Sequence, residues 1–393
     1  MGATSIRTPA ELIRLGAGAL LRDPAEARGM FEEATRQTPA DPGAWYGLAA
    51  ACGRLGDHEA AQAALDRTLE IDPNHLPALL KKADYFAALG DRRAAAAFYQ
   101  AAVNRAPPRE GLPSNLRTEV ARAERLGGEY AKAFEDHLEA GLRQVGYDPR
   151  ASSRRFAQGL DILLGRRRLY GQSPSAFFFP ELPQRQFYER QEFPWLAELE
   201  ARTAEIRNEL LAVVREDRGL KPYVRSSAER PPKSFGGLAD NPDWSAFFLI
   251  EDGRTMADNA TRCPATMAAL APVPLASTPG RTPSVLFSLL KPGTRIPPHT
   301  GMVNTRLICH LPLIVPPGCA LRVGNETRPW RIGECLIFDD TFEHEAWNDS
   351  DELRAVLLFD IWRPELSLEE RELASALLMA VSSFGAETGL DAR

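Results

Sequence analysis

The chain has 393 residues, of which 44% are hydrophobic and 25% charged, and its formal net charge is −6 at pH 7. This composition is typical of a globular protein with room for two domains, and it excludes disorder throughout the chain. Because the charge is mildly acidic, nothing supports a nucleic-acid partner electrostatically, and we expect none.

The five cysteines include no CxxC pair. An odd number without such a pair argues against a disulfide framework and against a thiolate zinc site, so we expect buried thiols in a reducing compartment. The N-terminus lacks an apolar signal-peptide core, and no stretch reaches the roughly 18 apolar residues that cross a bilayer. These features predict a cytoplasmic protein without a membrane span.

The N-terminal part of the chain repeats itself. Gly56-Asp57 aligns with Gly90-Asp91 at a spacing of 34 residues. Three prolines follow the same spacing: Pro39, Pro73 and Pro107. This period is typical of the tetratricopeptide repeat, in which each unit is a pair of helices that must stack on its neighbours.

The repeat predicts units at residues 8–41, 42–75 and 76–109. Residues 126–134 resemble the turn in the middle of a unit, which predicts a divergent fourth repeat. Residues 1–147 are therefore assigned to a tetratricopeptide-repeat domain, an α-solenoid. Its concave surface favours binding of a peptide or a partner protein, the alternative being a helical spacer or a dimerisation element.

Residues 148–180 are interpreted as a linker. Two arginine clusters, at 154–155 and 166–168, could contact a membrane surface or nucleic acid, but they fit a solvated face or an interdomain contact better. The proline-rich stretch at 177–183 predicts an extended entry into the second domain. Helical spacing of apolar residues then predicts one helix from about residue 196 to residue 215.

The C-terminal part, residues 181–393, has the pattern of a β-sheet domain. Short β-rich runs separated by turns predict strands at 246–250, 285–290, 306–315, 320–323, 335–338 and 354–362. Many short strands of this kind suggest a double-sheet jelly roll or a barrel. A helix from about residue 368 to residue 381 follows the last strand.

Three of the six histidines, His299, His310 and His344, lie in this domain, in or beside predicted strands. Imidazole suits iron, copper, zinc and nickel. Where two histidines and one carboxylate bind iron, the carboxylate usually follows the first histidine by two positions, and here that position is Gly301. We interpret Asp339-Asp340 as a turn or a supporting pair behind the histidines rather than a metal ligand.

The following motifs carry a family resemblance: Ser288, His299-Thr300-Gly301, Arg306-Leu307, His310-Leu311, Phe338-Asp339-Asp340, His344-Glu345-Ala346-Trp347-Asn348, Arg354 and Phe359-Asp360-Ile361-Trp362. Together they resemble the aspartyl/asparaginyl β-hydroxylase family over roughly residues 180–364. The resemblance implies a double-stranded β-helix and an Fe(II)- and 2-oxoglutarate-dependent dioxygenase that holds iron with only two histidines. Gly301 is what this family has at the vacant position.

The resemblance also implies roles for individual residues. His299 and His344 would bind iron, and Arg354 would pair with the distal carboxylate of 2-oxoglutarate. Ser288 would hydrogen-bond the same carboxylate, and His310 would lie near the end of the co-substrate that chelates iron.

Trp244 is a further candidate for the wall of the co-substrate pocket. Some relatives have a second arginine two residues before His310, where this chain has Ile308. The metal-side carboxylate of 2-oxoglutarate would then rest on His310, Arg306 or water.

The resemblance implies O2-dependent hydroxylation of an unactivated carbon, with the β-carbon of Asp or Asn in a peptide as the target. The repeats would help to capture that peptide. One alternative keeps the chemistry but acts on an acyl chain, as in lipid A hydroxylation. The other is a non-catalytic scaffold in which the β-domain is a relic.

Overall fold

The computed structural model describes residues 7–226 and 235–384. The chain divides into two compact units, Met1–Leu160 and Asp161–Arg393. In the part of the chain that is described, none of the helices combines the length and the hydropathy of a bilayer-spanning segment.

The first unit is helical. Its helices are α1 (Pro9–Ala19), α2 (Pro24–Gln37), α3 (Pro42–Arg54), α4 (His58–Ile71), α5 (Leu76–Ala88), α6 (Arg92–Arg105), α7 (Ser114–Gln144) and α8 (Arg154–Leu163), the last of which crosses the boundary between the units. The first six form three consecutive hairpins, one in each predicted unit. The predicted tetratricopeptide repeats are confirmed.

The turns inside the second and third hairpins depend on a glycine followed by an aspartate. Gly56 has φ +76° and Gly90 has φ +77°, a left-handed conformation that glycine adopts without strain. Asp57 then caps α4 by accepting from Ala60 N, and Asp91 caps α6 in the same way. The repeat seen in the sequence is therefore a repeat of turn chemistry.

The predicted turn of a fourth repeat is wrong. Residues 126–134 lie inside α7, a single helix of 31 residues. Gly128 is followed by Glu129, so this site lacks the aspartate that caps the next helix in the true repeats. Gly127 and Gly128 each lower the stability of the helix by about 1 kcal/mol relative to alanine. The good helix formers around them can offset this loss.

Every strand among the described residues lies in the second unit. They are β1 (Phe187–Tyr188), β2 (Lys221–Pro222), β3 (Trp244–Glu251), β4 (Arg254–Thr255), β5 (Val285–Leu290), β6 (Arg295–His299), β7 (Arg306–Ile314), β8 (Cys319–Val323), β9 (Glu326–Pro329), β10 (Leu336–Phe338), β11 (His344–Asn348) and β12 (Arg354–Trp362). Its helices are α9 (Leu196–Ala201), α10 (Thr203–Glu216), α11 (Ala257–Ala260), α12 (Pro264–Leu270) and α13 (Leu368–Ser383). The single helix predicted for 196–215 is thus two helices that meet at Arg202.

The strands form two antiparallel sheets. The large sheet has the order β1-β10-β7-β12-β5-β3-β2, with β4 paired to β3, and the small sheet has the order β6-β11-β8-β9. From β5 onward the chain passes back and forth between the sheets, except that β8 and β9 form a hairpin within the small sheet. The strands β5, β12, β7 and β10 of the large sheet thereby face β6, β11, β8 and β9 of the small sheet. This is the strand order of a double-stranded β-helix, and the predicted fold class is confirmed.

The large sheet is buried on both faces, which explains why its central strands are almost continuously apolar. On β12, Leu357 and Phe359 pack with α9, α10 and α12 in one core, whereas Val356 and Leu358 face the small sheet in a second core. Arg354 lies on the same inward face as Val356 and Leu358, because side chains alternate along a strand.

The segment before β1, within the stretch interpreted as a linker, hydrogen-bonds to the β-unit. Ser173 N donates to Thr341 O at 2.8 Å, and Ala176 N donates to Met302 O at 2.9 Å. Phe179 N donates to the Asn304 side-chain oxygen at 2.7 Å. The segment therefore fastens the loops that follow β6 and precede β11.

Candidate active site

A cavity of about 400 Å³ contains all seven site residues predicted from the sequence. They are Trp244, Ser288, His299, Arg306, His310, His344 and Arg354. His299 and His344 come from the small sheet and the others from the large sheet. The cavity therefore lies in the space between the two sheets.

The two proposed metal ligands are neighbours. His299 ends β6 and His344 begins β11, and they are paired residues in the antiparallel ladder, with ring centroids 4.1 Å apart. His299 Nδ1 lies 2.8 Å from Pro297 O, and His344 Nδ1 lies 3.0 Å from Phe342 O. A carbonyl can only accept, so each Nδ1 carries the proton and each Nε2 keeps a free lone pair.

Neither of the two strands that carry this pair was predicted from the sequence pattern. β6 contains Pro297-Pro298, and prolines normally exclude a segment from a sheet. The two prolines are tolerated because β6 is an edge strand of the small sheet. Backbone N–H groups on the outer side of an edge strand have no partner strand, so their absence costs no sheet hydrogen bond. β11 has only five residues and alternates buried with half-buried positions.

Burial keeps the histidines neutral. It lowers the pKa of His299, and burial together with neighbouring His299 lowers the pKa of His344 to about 3. The pKa of His310 is also well below its usual value, first because of burial and then because of the Arg354 charge. Neutral imidazole is the form that binds metals.

Arg354 is a buried cation without a carboxylate. It is 1% exposed, and its Nε and Nη1 have no hydrogen-bond partner among the described residues. Its guanidinium lies 4.7 Å from the centre of the Trp330 ring, and burial lowers its pKa to about 10. By contrast, the equally buried Arg363 pairs with Asp339 at 2.8 Å. An unpaired buried guanidinium is costly unless an anion binds it, so this end of the cavity fits a carboxylate.

Two polar groups of the same cavity, the Ser288 hydroxyl and His310 Nδ1, are also available to bind a ligand. Trp244 Nε1 donates to Ser288 Oγ at 3.1 Å, which leaves the Ser288 hydroxyl proton free to donate to an acceptor. Trp244 is held by Tyr223, whose ring stacks on it at 4.1 Å. His310 Nδ1 is buried and has no partner within the described residues.

The resemblance offered Arg306 as one possible partner of the metal-side carboxylate of 2-oxoglutarate, but in the structure Arg306 contacts carboxylates of the chain. Its guanidinium contacts Asp360, and its Nη2 lies 3.3 Å from Asp340 Oδ2. Burial opposes its charge, but the two carboxylates outweigh that effect and raise its pKa. Burial raises the pKa of Asp340 to about 7. Arg306 is thus occupied by carboxylates of the chain itself.

Within residues 7–226 and 235–384, no group of three or more His, Cys, Asp or Glu side chains could hold a metal ion. The site therefore offers two protein nitrogens and leaves the remaining coordination positions of a bound metal to other ligands.

Three residues of the site received no role from the sequence: Tyr223, Trp330 and Asp360, the last of which lies in one of the motifs that carry the family resemblance. Asp360 could have been found, because it lies six residues after Arg354 on the same strand and hence on the same face. Tyr223 and Trp330 carry no comparable signal, since they reach the site through loops and short edge strands.

The geometry agrees with comparisons to known proteins. The profile of the family described as aspartyl/asparaginyl beta-hydroxylase matches residues 200–364, and a tetratricopeptide repeat profile matches residues 19–83. The chain is 41% identical over 142 residues to the aspartyl/asparaginyl beta-hydroxylase of Mus musculus, which is 36% of this chain and 19% of that protein.

Two other relatives match longer stretches. The ornithine lipid ester-linked acyl 2-hydroxylase of Rhizobium tropici is 36% identical over 45% of this chain and 60% of its own length. Aspartate beta-hydroxylase domain-containing protein 1 of Mus musculus is 33% identical over 60% of this chain and 64% of its own length. The chain thus spans less than two thirds of each of these relatives. Residues 200–364 thus match the aspartyl/asparaginyl beta-hydroxylase family model, and a tetratricopeptide repeat match precedes them.

Proposed function

We propose that this chain is an Fe(II)- and 2-oxoglutarate-dependent dioxygenase that hydroxylates the β-carbon of Asp or Asn in a peptide. The observation that carries this proposal is that one cavity holds a pair of adjacent imidazoles and a buried guanidinium, for which the described part of the chain supplies no carboxylate. A transition metal and a dicarboxylate are what those two groups would bind.

The residues present fit both ligands. His299 and His344 each have Nδ1 against a backbone carbonyl, which fixes the ring and directs Nε2 to the metal. Two protein ligands leave room on iron for a chelating co-substrate and for O2. The guanidinium of Arg354, whose Nε and Nη1 have no partner among the described residues, is suited to bind a carboxylate, and the Ser288 hydroxyl supplies a further hydrogen bond.

Each residue contributes a separate part of the mechanism. Bound iron, 2-oxoglutarate and O2 would supply the oxidising chemistry, in which the co-substrate becomes succinate and CO2 and the substrate gains a hydroxyl. Arg354 and Ser288 orient the co-substrate from its distal end, and Trp244 fixes the Ser288 oxygen. Phe235 packs edge-on against the His299 ring, with the ring centroids 4.9 Å apart.

The repeats fit the capture of a polypeptide. Three stacked helical pairs create a concave surface, and such surfaces bind extended peptides or partner proteins. We assign this role to the first unit as part of the same proposal.

A second substrate class has one specific observation in its favour. Helix α13 exposes a row of apolar side chains at helical spacing: Leu373, Leu377, Val381 and Phe384. Such a row can rest on a lipid surface, and the relative from Rhizobium tropici is named as an acyl hydroxylase. Hydroxylation of a lipid acyl chain is therefore the alternative activity.

The proposal is tested with purified protein, Fe(II), ascorbate, 2-oxoglutarate and a pool of peptides. We expect succinate formation that depends on iron and is lost in His344→Ala, together with peptides that gain one oxygen in mass spectrometry. Succinate at the same rate in wild type and His344→Ala would contradict the proposal. If the protein instead binds liposomes and hydroxylates their acyl chains, and no peptide is modified, the lipid alternative is favoured.

A further inference from the structure

Trp330 is the aromatic neighbour of the buried guanidinium. It directly follows β9 and is 4% exposed. The guanidinium carbon of Arg354 lies over its ring, 4.7 Å from the ring centre. This is within the roughly 6 Å over which an aromatic face attracts a cation, and tryptophan attracts cations more strongly than tyrosine or phenylalanine. The contact therefore stabilises the charge on Arg354.

The indole acts through its ring and not through a hydrogen bond. Trp330 Nε1 is buried and has no hydrogen-bond partner among the described residues, whereas a buried indole usually has one. Trp330 is packed in the inner core with Val356 and Leu358, and it is not among the described residues that line the cavity. Arg354 does line the cavity. The ring thus supports the guanidinium from the core.

An aromatic support has a different effect from a carboxylate. Burial lowers the pKa of Arg354 to about 10, and the neighbouring Cys319 opposes this shift. A carboxylate of the chain would stabilise the cation but would also occupy it, as Asp339 occupies the equally buried Arg363 at 2.8 Å. An aromatic face attracts the cation without placing a negative charge beside it. The guanidinium therefore keeps its charge for an incoming anion.

The same ring lies beside another residue assigned to the co-substrate. The ring centroids of Trp330 and His310 are 6.0 Å apart, and the two planes are inclined by 36°. His310 also lines the cavity. Trp330 thus lies behind two of the groups that would meet 2-oxoglutarate.

We propose that Trp330 is a positioning residue, whose ring holds the Arg354 guanidinium in place without a counterion so that it can bind the distal carboxylate of 2-oxoglutarate. This inference rests on the proposed function and adds a residue to its co-substrate site. Without the ring, the guanidinium loses a contact that fixes its orientation, and part of the binding free energy must then order it. The effect reaches 2-oxoglutarate through Arg354 and does not reach the metal.

The test compares two ligands of the Co(II)-loaded protein by isothermal titration calorimetry. One is 2-oxoglutarate, and the other is 2-oxopentanoate, which has the same carbon chain but lacks the distal carboxylate. Trp330→Met should weaken 2-oxoglutarate binding by about tenfold or more. It should leave 2-oxopentanoate binding and the Co(II) stoichiometry unchanged. Equal weakening of both ligands, or of neither, overturns the inference.

Two further variants separate positioning from packing. Trp330→Phe keeps an aromatic face and loses only a donor that forms no hydrogen bond among the described residues, so its affinity for 2-oxoglutarate should stay within about threefold of wild type. Trp195→Met removes an indole packed against the outer core of the same unit and should lower the urea midpoint without changing that affinity. If Trp330→Met lowers only the urea midpoint, as Trp195→Met does, Trp330 is a packing residue and the inference is overturned.

A double variant shows whether Trp330 acts through Arg354. If it does, Trp330→Met combined with Arg354→Met should bind 2-oxoglutarate no more weakly than Arg354→Met alone. Additive losses overturn the inference. Trp330→Leu also lacks a ring and replaces Trp330→Met in every comparison if the latter does not fold.

Failure of the inference and failure of the proposed function give different results. If wild-type protein and Trp330→Met bind 2-oxoglutarate equally well, the inference is overturned and the proposed function stands. If Co(II)-loaded wild-type protein does not bind 2-oxoglutarate, both are overturned.

Discussion

The backbone of Gly301 lies directly against the carboxylate of Asp340. A Cβ placed on Gly301 would be 2.3 Å from Asp340 Cγ, and Gly301 N donates to Asp340 O at 2.7 Å. The position where other iron sites place a carboxylate ligand is therefore filled by Asp340, which pairs with Arg306 instead. Glycine is needed here for space and not for backbone conformation, because its φ is not in the left-handed range.

Gly301→Ala should therefore destabilise the β-unit by about 1–3 kcal/mol, since the new methyl group displaces a buried carboxylate. Asp340→Ala removes the obstacle, so the double variant should lose less than the sum of the two single losses. Urea unfolding of the four proteins measures this coupling. Gly141→Ala is the matched control, because a Cβ there meets nothing within 4 Å in an exposed helix. Strictly additive losses would contradict the close contact.

Arg354 and Arg363 should respond oppositely to the same substitution. Arg354→Met removes a buried charge that has no carboxylate partner, so the free energy of unfolding without ligand should stay the same or rise. Arg363→Met leaves Asp339 as an unpaired buried carboxylate and should cost about 3–5 kcal/mol.

The same pair separates stability from binding. 2-Oxoglutarate should raise the Tm of the wild-type protein and leave the Tm of Arg354→Met unchanged. If Arg354→Met lowers the free energy of unfolding as much as Arg363→Met does, Arg354 is a structural residue. Both quantities come from thermal and urea unfolding with and without 2-oxoglutarate.

Metal binding should depend on His299 and His344 but not on His310. Each of His299→Ala and His344→Ala removes one of two protein ligands, so stoichiometric binding of Co(II) in equilibrium dialysis should be lost. His310→Gln should keep the metal and weaken 2-oxoglutarate binding, because His310 lies near Arg354 and not in the ladder pair. Full Co(II) binding by His299→Ala would refute the two-histidine site.

The stability of the metal-free protein should fall in mild acid. His299, His310 and His344 have lowered pKa values in the folded state, so between their folded pKa and about 6.5 the unfolded chain binds protons that the folded chain does not. Stability is therefore lost as the pH falls below about 6.5. Asp340, with its pKa raised to about 7, acts in the opposite direction but is one group against three.

The urea midpoint of the β-unit, followed by tryptophan fluorescence, should be lower at pH 5 than at pH 7.5. His310→Gln should reduce that difference, and His137→Gln, an exposed histidine of the helical unit, should not. A midpoint that is unchanged or higher at pH 5 would show that the histidines are not held neutral.

Sequence patterns predicted the elements that carry strong local signals. The tetratricopeptide period is visible because each turn reuses a glycine and a capping aspartate, and the central strands are visible because both of their faces are buried. His299, His310 and His344 stood out as a cluster of histidines, whereas the roles of Ser288, Arg306, Arg354 and Trp244 followed from the family resemblance. The sequence shows that Gly301 stands where a carboxylate ligand is usual, but it does not show the contact with Asp340 that requires glycine there.

The remaining features depend on contacts between distant parts of the chain. That His299 faces His344 follows from the register of β6 and β11, two short strands without a clear pattern. That Arg306 is paired and Arg354 is not depends on which carboxylates the fold brings to each, and no local pattern contains that information. The false fourth repeat shows the opposite case, a local pattern without its capping residue.

If the proposed function is right, this cavity uses O2 to oxidise 2-oxoglutarate at the histidine pair. The most direct test is turnover under ¹⁸O2, with the succinate analysed by mass spectrometry. We predict that succinate from wild-type protein carries one heavy oxygen atom and that His344→Ala and Arg354→Met form little or none. Unlabelled succinate, or labelled succinate at the wild-type rate in His344→Ala, would contradict the account.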